Sequence, residues 1–426
     1  FSGLDSISDI VLGNVKIPTE KAEHIIPLLE QIKKMFGNPL ALVRDMSVAI
    51  SRAIETVFPK KPDFICHYHF LSDIGSDLLE DDYAIIRKRL KKQGITAKLR
   101  RWGRKLKEQL DDNPDLMDRV TPEMDHPNLC EPKELERLPL LSSYMLIQWI
   151  LDGKNQGQGY GFPFDRVHGV FTQRLYDATT QIQAFKEVYL RDQWRDNKPL
   201  WKLSNALEAV CSDKLLRQAL DNLQVKAKVF DRLRDAMRIA PQGGSDGLNS
   251  DNGDEEMDTI KKGVEQFRQK LISDPQYTDQ LHYKKMIAQI DKYQGKLFAD
   301  PILVDTPNGK VTIYPQRTNN IMERFFRDFK SGDRKKTGHH SISRTLQAML
   351  ADTPLVRNLK NAEYLKILLG DCQSLEERFA RIEAGQVRDE LNQAKNSPEK
   401  IPAKIKKLIA QPQFLEIIAR LFKKRA

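Results

Sequence analysis

The sequence has few cysteines, no long apolar run and no recognisable leader. Its cysteines (Cys66, Cys130, Cys211 and Cys372) are too few and too scattered for a disulfide framework, which favours a reducing, intracellular setting. The longest apolar stretch, residues 138–151, is interrupted by polar residues and is shorter than a membrane helix of about 20 residues. The N-terminus has no basic segment followed by an apolar core, so the sequence shows no signal peptide. We therefore expect no membrane partner.

The short motifs of several common enzyme classes are also missing. There is no GxxxxGK[ST] loop, so ATP hydrolysis is unsupported, and no GxGxxG follows a predicted strand. Serine-hydrolase and HExxH signatures are absent. The segment 156–164 is rich in glycine and aromatic residues, but it lies among predicted helices and is predicted to be a loop.

Positive charge is what the sequence has in excess. The 426 residues include 69 Lys and Arg against 59 Asp and Glu, which gives a net charge of +10. Such an excess favours a polyanionic partner, nucleic acid by default, although a merely basic protein is the alternative. Residues 87–107 contain 11 Lys or Arg and no acid, and we expect this run to bind DNA or to form a solvated basic helix.

The patterns divide the chain into an α/β beginning, a helical middle and a mixed end. Residues 1–70 predict strands at 1–4, 10–17, 40–43 and 64–70, with helices at 20–36 and around 48–57. The alternation in the second part predicts parallel pairing with crossover helices. Residues 71–297 are predicted to be mostly helical, and the acidic, Gly-rich segment 241–256 to be a linker or surface loop.

Strand patterns return near residue 300. Residues 302–304 and 311–314 predict a hairpin around Asn308-Gly309, and a helix opens near residue 318 or 319. We assign residues 298–350 to the end of the α/β region. Residues 351–426 are predicted to be a helical C-terminal region with a basic end at 423–425.

Asp45 is the first candidate for chemistry. It lies at the carboxyl end of a predicted buried strand, where catalytic groups and ligands collect in α/β sheets. The alternative is a plain N-cap, because Asp is a favoured capping residue and a helix follows.

Glu323 is the second candidate, on the helix TNNIMERFFRDFK. It shares a helix face with Arg327, Lys330 and Arg334, opposite a face of apolar residues. The alternative is a solvated face with an i,i+4 ion pair. The same helix carries the further bases Arg324, Lys335 and Lys336. A single acid on a face of bases is what a metal ligand beside a phosphate backbone requires.

The run Cys66-His67-Tyr68-His69 raises the question of zinc. No second Cys/His pair with suitable spacing follows, so a closed structural zinc site is not expected. The simpler interpretation is a strand end packed against the core, with His67 or His69 hydrogen-bonded.

Two blocks of the sequence resemble DDE transposases of the Mutator-like and related insertion-sequence type. RDMSVAISRAIETVFPKKPDFICHYHFLSDIG resembles the block of the second catalytic Asp, with Asp45, a Val-Phe-Pro turn, Cys66 and His69 in place. PQRTNNIMERFFRDFKSGDRKKTG resembles the block of the third acid, which is Glu323 here. The resemblance covers residues 1–70 and about 300–370.

The resemblance implies a fold and a reaction. The fold is an α/β RNase H-like core with a mixed sheet, interrupted by the helical insertion 71–297. The reaction is metal-dependent DNA strand cleavage and strand transfer at transposon ends. Asp45 and Glu323 are implied to hold two Mg²⁺ ions, with Mn²⁺ as a substitute.

The resemblance also implies partners and a location. Double-stranded DNA is expected from transposon ends and target, bound by a homo-oligomer. The implied place is the cytoplasm, at the nucleoid, in a prokaryote. The residues expected to hold DNA phosphates are Arg324, Arg327, Lys330, Arg334, Lys335 and Lys336, and those expected to bind flanking DNA are Arg100, Arg101, Trp102 and Arg104.

One departure from the family pattern concerns the first acid. The family's first Asp lies on the first strand of the core, and no such strand precedes Phe1. Asp5 falls at the end of the next strand and is a poor substitute. Either the reading frame begins upstream, or the chain is a truncated, inactive copy. The alternatives to an active transposase are a non-catalytic DNA-binding remnant and a basic helical scaffold protein.

Overall fold

The chain forms two compact units, one inserted into the sequence of the other. The computed structural model describes residues 1–111, 138–188, 198–239, 255–307, 309–338 and 353–395, together with residues 345, 346, 349 and 351. The first unit combines Phe1–Phe64 with the described residues from Asn319 onward, and the second unit spans Ile65–Thr318.

The first unit begins with alternating strands and helices. They are strands β1 (Ser2–Leu4) and β2 (Val11–Asn14), helix α1 (Ala22–Phe36), strand β3 (Leu42–Arg44), helix α2 (Val48–Val57) and strand β4 (Asp63–Ile65). β1 pairs antiparallel with β2, and β3 pairs with β4. A core of apolar side chains from α1 and α2 joins these elements, and it includes Ile25, Leu29, Ile50, Ala53, Ile54, Val57 and Phe58.

Two glycines let the β1–β2 hairpin lie directly on α1. Gly3 and Gly13 are paired across the hairpin. A Cβ added to Gly3 would lie 2.9 Å from Ile32 Cδ1, and one added to Gly13 would lie 3.0 Å from Leu28 Cδ1. Any larger residue at either position would therefore force the α1 side chains to move.

A buried ion pair connects β3 with β4. The guanidinium of Arg44 donates from Nε and Nη2 to the two carboxylate oxygens of Asp63, each at 2.8 Å. The exposed fractions of the two side chains are only 6% and 9%. Both charges are desolvated, and the paired, two-point geometry compensates for part of that cost.

The second unit is built from helices, with one hairpin near its end. Its elements are α3 (His67–Gln93), α4 (Ile95–Asp111), α5 (Leu138–Asp152), a 3-10 turn (Gly153–Asn155), α6 (Val167–Val188), α7 (Lys198–Cys211), α8 (Lys214–Ala236), α9 (Glu255–Ser273), α10 (Pro275–Thr278), α11 (Leu281–Leu297), β5 (Ile302–Thr306) and β6 (Gly309–Ile313). β5 and β6 pair antiparallel. None of the described helices is long and apolar enough to cross a membrane.

Aromatic stacking fixes the Gly-rich loop against α3. The ring of Phe162 stacks on Tyr83 at 4.5 Å between centroids, and Phe164 stacks on Tyr68 at 4.7 Å. Within the loop, the carboxylate of Asp165 accepts hydrogen bonds from the N–H groups of Gln158 and Gly161 at 2.9 and 2.8 Å. The predicted loop is thus confirmed, and its contacts give it a structural role.

The chain then returns to the first unit. The elements there are α12 (Asn320–Thr337), a 3-10 segment (Thr353–Lys360), α13 (Ala362–Leu369), α14 (Leu375–Ala380) and α15 (Ala384–Lys395). Asn358 is buried against β2, where its side chain accepts from Val11 N–H at 2.8 Å and donates to Val11 O at 2.9 Å. One side chain therefore supplies both hydrogen bonds that a neighbouring strand would make.

Most of the predicted elements are present. The first two strands, the helix before Gly37, the strand before Asp45, the helical middle and the late hairpin are all confirmed in the described residues. The hairpin belongs to the second unit, so the assignment of residues 298–350 to the end of the α/β region is wrong for residues 298–318. Residues 241–254 of the predicted acidic loop lie outside the described residues, and Glu255 begins a helix. The basic end at 423–425 also lies outside them.

The strands differ from the sequence-based expectations in two ways. The predicted strand at 64–70 is wrong, because β4 ends at Ile65 and α3 begins at His67. The described strands form three separate two-stranded sheets and not one mixed sheet. The RNase H-like core therefore stays a prediction.

We predict that Asp63→Ala lowers the stability of the first unit by about 3–5 kcal/mol, because it leaves the Arg44 guanidinium buried without a carboxylate. The tryptophans that the structure describes, Trp102, Trp149 and Trp201, belong to the second unit, so their fluorescence does not report this loss. Hydrogen exchange of peptides from α2, followed by mass spectrometry, measures it.

The matched control is Glu23→Ala. Glu23 pairs with Lys21 at 3.7 Å, and the exposed fractions of the two side chains are 68% and 65%. Such an exposed pair contributes about 0–1 kcal/mol. The double variant Arg44→Met, Asp63→Leu should regain most of the stability. Equal exchange rates in Asp63→Ala and Glu23→Ala would contradict a stabilising role of the buried pair.

Candidate functional site

Asp45 follows β3 directly, as predicted. Its side chain is half-buried, and Oδ1 accepts a hydrogen bond from Ser47 N–H at 2.9 Å. The N-cap of α2 is Ser47, whose Oγ accepts from Ile50 N–H at 3.4 Å, so the capping alternative for Asp45 is wrong. No described residue donates a hydrogen bond to Asp45 Oδ2. The turn therefore uses one carboxylate oxygen and leaves the other outside its hydrogen bonds.

The buried ion pair also positions the Asp45 backbone. Arg44 Nη1 donates to the carbonyl oxygen of Asp45 at 2.8 Å, while the rest of the guanidinium is held by Asp63. Two fixed points, the Asp45 carbonyl and the Ser47 N–H, thus restrain the residue that carries the candidate carboxylate.

Glu323 lies in the first turn of α12, and its side chain is half-buried. The N–H of Glu323 donates to Asn319 O at 3.1 Å, which is the first helical hydrogen bond of this region. Asp45 and Glu323 are far apart in sequence, but both belong to the first unit. Folding has therefore brought the two candidate acids into one compact body.

The predicted basic face of α12 is exposed, while Phe325 is buried with 5% of its surface accessible. The Arg357 guanidinium covers the Phe325 ring at 5.6 Å from the centroid. The prediction for the apolar face holds only in part, because Phe326 is 39% exposed. The exposed bases are Arg324, Arg327, Lys330, Arg334, Lys335 and Lys336.

The two carboxylates suit a hard divalent cation, because Mg²⁺ and Mn²⁺ prefer oxygen ligands. Within the part of the chain that the structure describes, no three Asp, Glu, His or Cys side chains form a group able to hold a metal ion. Asp5 accepts hydrogen bonds from the N–H and O–H of Ser8 and so serves its own turn. Asp45 and Glu323 are thus the candidate acids of the first unit whose carboxylates have the chemistry of the implied ligand set.

Cys66 and His69 lie in the second unit, at the start of α3. Cys66 is the N-cap residue and is completely buried, and His69 falls in the first turn of the helix. The expected strand end at these residues is wrong, because the strand stops at Ile65. Their place in the fold is a helix start packed into the core.

His67 is the buried histidine of this motif. Its Nε2–H donates to the carbonyl of Leu297 at 2.5 Å, and its ring meets the edge of Phe298. The pKa of His67 is lowered to about 4, chiefly by burial and also by the charge of nearby Arg317, while the bond to Leu297 opposes the shift. The imidazole is therefore neutral at pH 7 and joins α3 to the end of α11.

The basic run 87–107 forms the end of α3 and most of α4, which meet at Gly94 in a left-handed conformation. On α3, Arg87 pairs with Glu80, and Arg89 pairs with Asp213 at 3.6 Å. On α4, no base forms an ion pair with another described residue. The exposed bases of α4 are Lys98, Arg100, Arg101, Arg104, Lys105 and Lys107.

A groove of about 590 Å³ runs between α4 and α5. Of the residues expected to bind flanking DNA, Arg100 and Arg104 line the groove, whereas Arg101 does not. The predicted aromatic residue, Trp102, is half-buried and is not part of the lining. The full lining is Arg100, Gly103, Arg104, Lys107, Tyr144, Gln148 and Leu151.

Sequence reasoning missed Tyr144 and Gln148. They lie in the run 138–151, which we considered only as a possible membrane segment. Their spacing of four residues on one helix face was the signal that could have found them. This spacing identifies a face of α5, but it does not show that α4 packs beside that face.

We predict that the stability of the second unit falls as the pH drops from about 6.5 to 4. The pKa of His67 is about 4 in the folded chain and about 6.5 unfolded, so the unfolded state binds the proton first. The loss between pH 7 and pH 5 should be roughly 2 kcal/mol. Urea unfolding followed by tryptophan fluorescence measures it, because the described tryptophans lie in this unit.

The control for this pH dependence is His67→Gln, which keeps an N–H donor but does not titrate. His168 and His282 also have a pKa lowered by burial, and both remain in the variant. The difference between the two proteins isolates His67. An identical pH dependence in both would show that His67 does not cause the loss.

We also predict that the quadruple variant Arg100→Gln, Arg101→Gln, Arg104→Gln, Lys107→Gln flattens the salt dependence of DNA binding. The slope of log K against log salt should change by about 3, since each lost phosphate contact contributes about 0.7–0.9. A control with equal charge loss on α9 and α11 replaces Lys261, Lys262, Lys284 and Lys285, which are exposed in the same unit. The same change of slope in both variants would place the DNA elsewhere.

Comparisons with known proteins do not extend this description of the site. The chain matches no family model, no curated protein and no solved structure. The functional conclusion therefore rests on the residues and contacts given above.

Proposed function

We propose that the chain is a DDE transposase, which cleaves and joins DNA strands by metal-dependent polynucleotidyl transfer. The observation that carries this proposal is that Asp45 and Glu323 share one compact unit assembled from two distant parts of the sequence. The helical second unit lies between those parts in sequence. This is the organisation that the resemblance implies for an interrupted catalytic core.

The surroundings of Asp45 support a role as a metal ligand. The residue is half-buried, its backbone is held by Arg44, and its Oδ2 receives no hydrogen bond from a described residue. A carboxylate whose position is restrained, and of which one oxygen accepts no hydrogen bond from these neighbours, can coordinate a cation without prior rearrangement.

The surroundings of Glu323 support the second ligand position. Exposed bases flank it on α12, and these can bind the phosphates of a DNA strand, while the carboxylate would hold the metal ion. When bound, Mg²⁺ ions would activate the attacking oxygen and stabilise the leaving oxygen. The chain itself contributes the positions of the two acids and of the cations beside them.

A second candidate function is a DNA-binding remnant without catalysis. It is favoured by the finding that no three Asp, Glu, His or Cys side chains of the described residues form a group able to hold a metal ion. Both candidates keep the basic face of α12 for DNA. They differ in whether the chain cuts the strand that it binds.

We predict that Asp45→Asn and Glu323→Gln each weaken Mn²⁺ binding at least about tenfold, since even residues that only support metal ligands change affinity by about 10- to 100-fold. Mn²⁺ titration followed by electron paramagnetic resonance measures the free ion. Glu30→Gln removes the same charge from an exposed position of α1 and should leave the affinity unchanged. Wild-type affinity in both site variants would remove these acids from the metal site.

Strand cleavage separates the two candidate functions. With Mg²⁺ and labelled duplex DNA, the transposase should cut the DNA, and Glu323→Gln should abolish cutting while leaving DNA affinity nearly unchanged. Equal cleavage by the variant would contradict the assignment of Glu323. A wild-type chain that binds DNA and Mn²⁺ but never cuts would support the remnant.

A further inference from the structure

We propose that the groove between α4 and α5 binds single-stranded nucleic acid. The inference rests on the expectation from the sequence that the basic run 87–107, which includes most of α4, binds nucleic acid, and it names the form that is bound. It does not depend on Asp45 or Glu323, which belong to the other unit.

One wall of the groove is cationic. Arg100, Arg104 and Lys107 recur on α4 at spacings of four and three residues, so they form one row along the groove. All three are exposed, and none pairs with a described carboxylate. A row of cations on one side of a groove can follow a phosphate backbone.

Another cation is held near the end of this row. Lys154 is half-buried, donates to Thr96 Oγ1 at 2.8 Å and covers the Phe171 ring at 4.6 Å from its centroid. Burial lowers the pKa of Lys154, and the charge of nearby Arg100 lowers it further. Two cations kept close without an intervening described carboxylate would each gain from a bound anion.

The opposite wall is neutral and carries an aromatic ring. It consists of Tyr144, Gln148 and Leu151 from α5. The floor is narrow at Gly103, where an added Cβ would lie 3.0 Å from Gln148 Nε2 and 3.3 Å from Ile147 Cγ2. The Gln148 amide and the Tyr144 ring therefore face the cationic row across a short distance.

This asymmetry favours a single strand over a duplex. In a single strand, the phosphates can follow the α4 wall while the bases turn to the Tyr144 ring and the Gln148 amide. In a duplex the base faces are stacked on one another and cannot meet an aromatic side chain. The volume of about 590 Å³ is that of a site for one or a few small groups, within the usual range of about 300–1,000 Å³ for ligand pockets.

Fluorescence anisotropy with oligo(dT), oligo(rU) and a duplex hairpin of equal charge tests the proposal on the full chain. The single strands should bind more tightly than the duplex. Tyr144→Ala should weaken single-strand binding by about 5- to 100-fold and leave duplex binding unchanged, as expected for the loss of base stacking. Tyr144→Phe should keep the wild-type affinity.

Tyr144 also packs against Leu110 and Leu141, so a second variant guards against misfolding. Gln148→Glu places a negative charge on the exposed neutral wall, and it should weaken single-strand binding at low salt. Gln266→Glu makes the same change at an exposed position of α9 and should have no effect.

Each outcome has a defined meaning. Duplex affinity equal to that of the single strands, or unchanged single-strand affinity in both Tyr144→Ala and Gln148→Glu, would overturn the inference. A loss of metal binding or cleavage in the acid variants concerns the transposase alone. The two proposals can therefore fail separately.

Discussion

The ion pair between Arg44 and Asp63 is the constraint on which the candidate acid site depends. It joins two short strands that are separated in the sequence by the helix α2. The same Arg44 guanidinium also donates a hydrogen bond to the carbonyl oxygen of Asp45. Neither strand exceeds three residues, so backbone pairing alone contributes few hydrogen bonds. A buried, two-point ion pair is costly to desolvate, but it tolerates only one geometry. It therefore fixes the end of the strand at the place where the candidate carboxylate begins.

Much of the secondary structure was predictable because it depends on residues that are close together in the sequence. Apolar residues at helical spacing identified α1, and Gly37, which has a φ of +83°, marked its end. The run after Pro62 was misread because Phe64, Ile65 and Cys66 look like part of a strand. The helix that begins at His67 is stabilised by distant contacts, such as that between His67 and Leu297, which no local window contains. Strand pairing is non-local for the same reason.

The candidate site was predictable only residue by residue. Asp45 and Glu323 could be identified from their neighbours and from the resemblance, but nothing in the sequence shows that they share a compact unit. Trp102 was expected in the DNA interface because it lies in a basic run. It is two positions from both Arg100 and Arg104, which places it on another side of the helix. Tyr144, from another helix, supplies the aromatic ring in the lining of the groove, and only the packing of α4 on α5 shows this.

The side chain of Asn358 has a consequence for how the chain folds during its synthesis. It makes both backbone hydrogen bonds with Val11, a residue 347 positions earlier in the chain. A ribosome that adds about 5–20 residues per second needs roughly 20–70 s to cover that distance. During this time the outer side of β2 has no such partner, and an unpaired strand edge is a template for pairing with other chains. The nascent chain thus passes through an interval in which this strand edge can pair with another chain, unless such chains meet it slowly or a chaperone covers it.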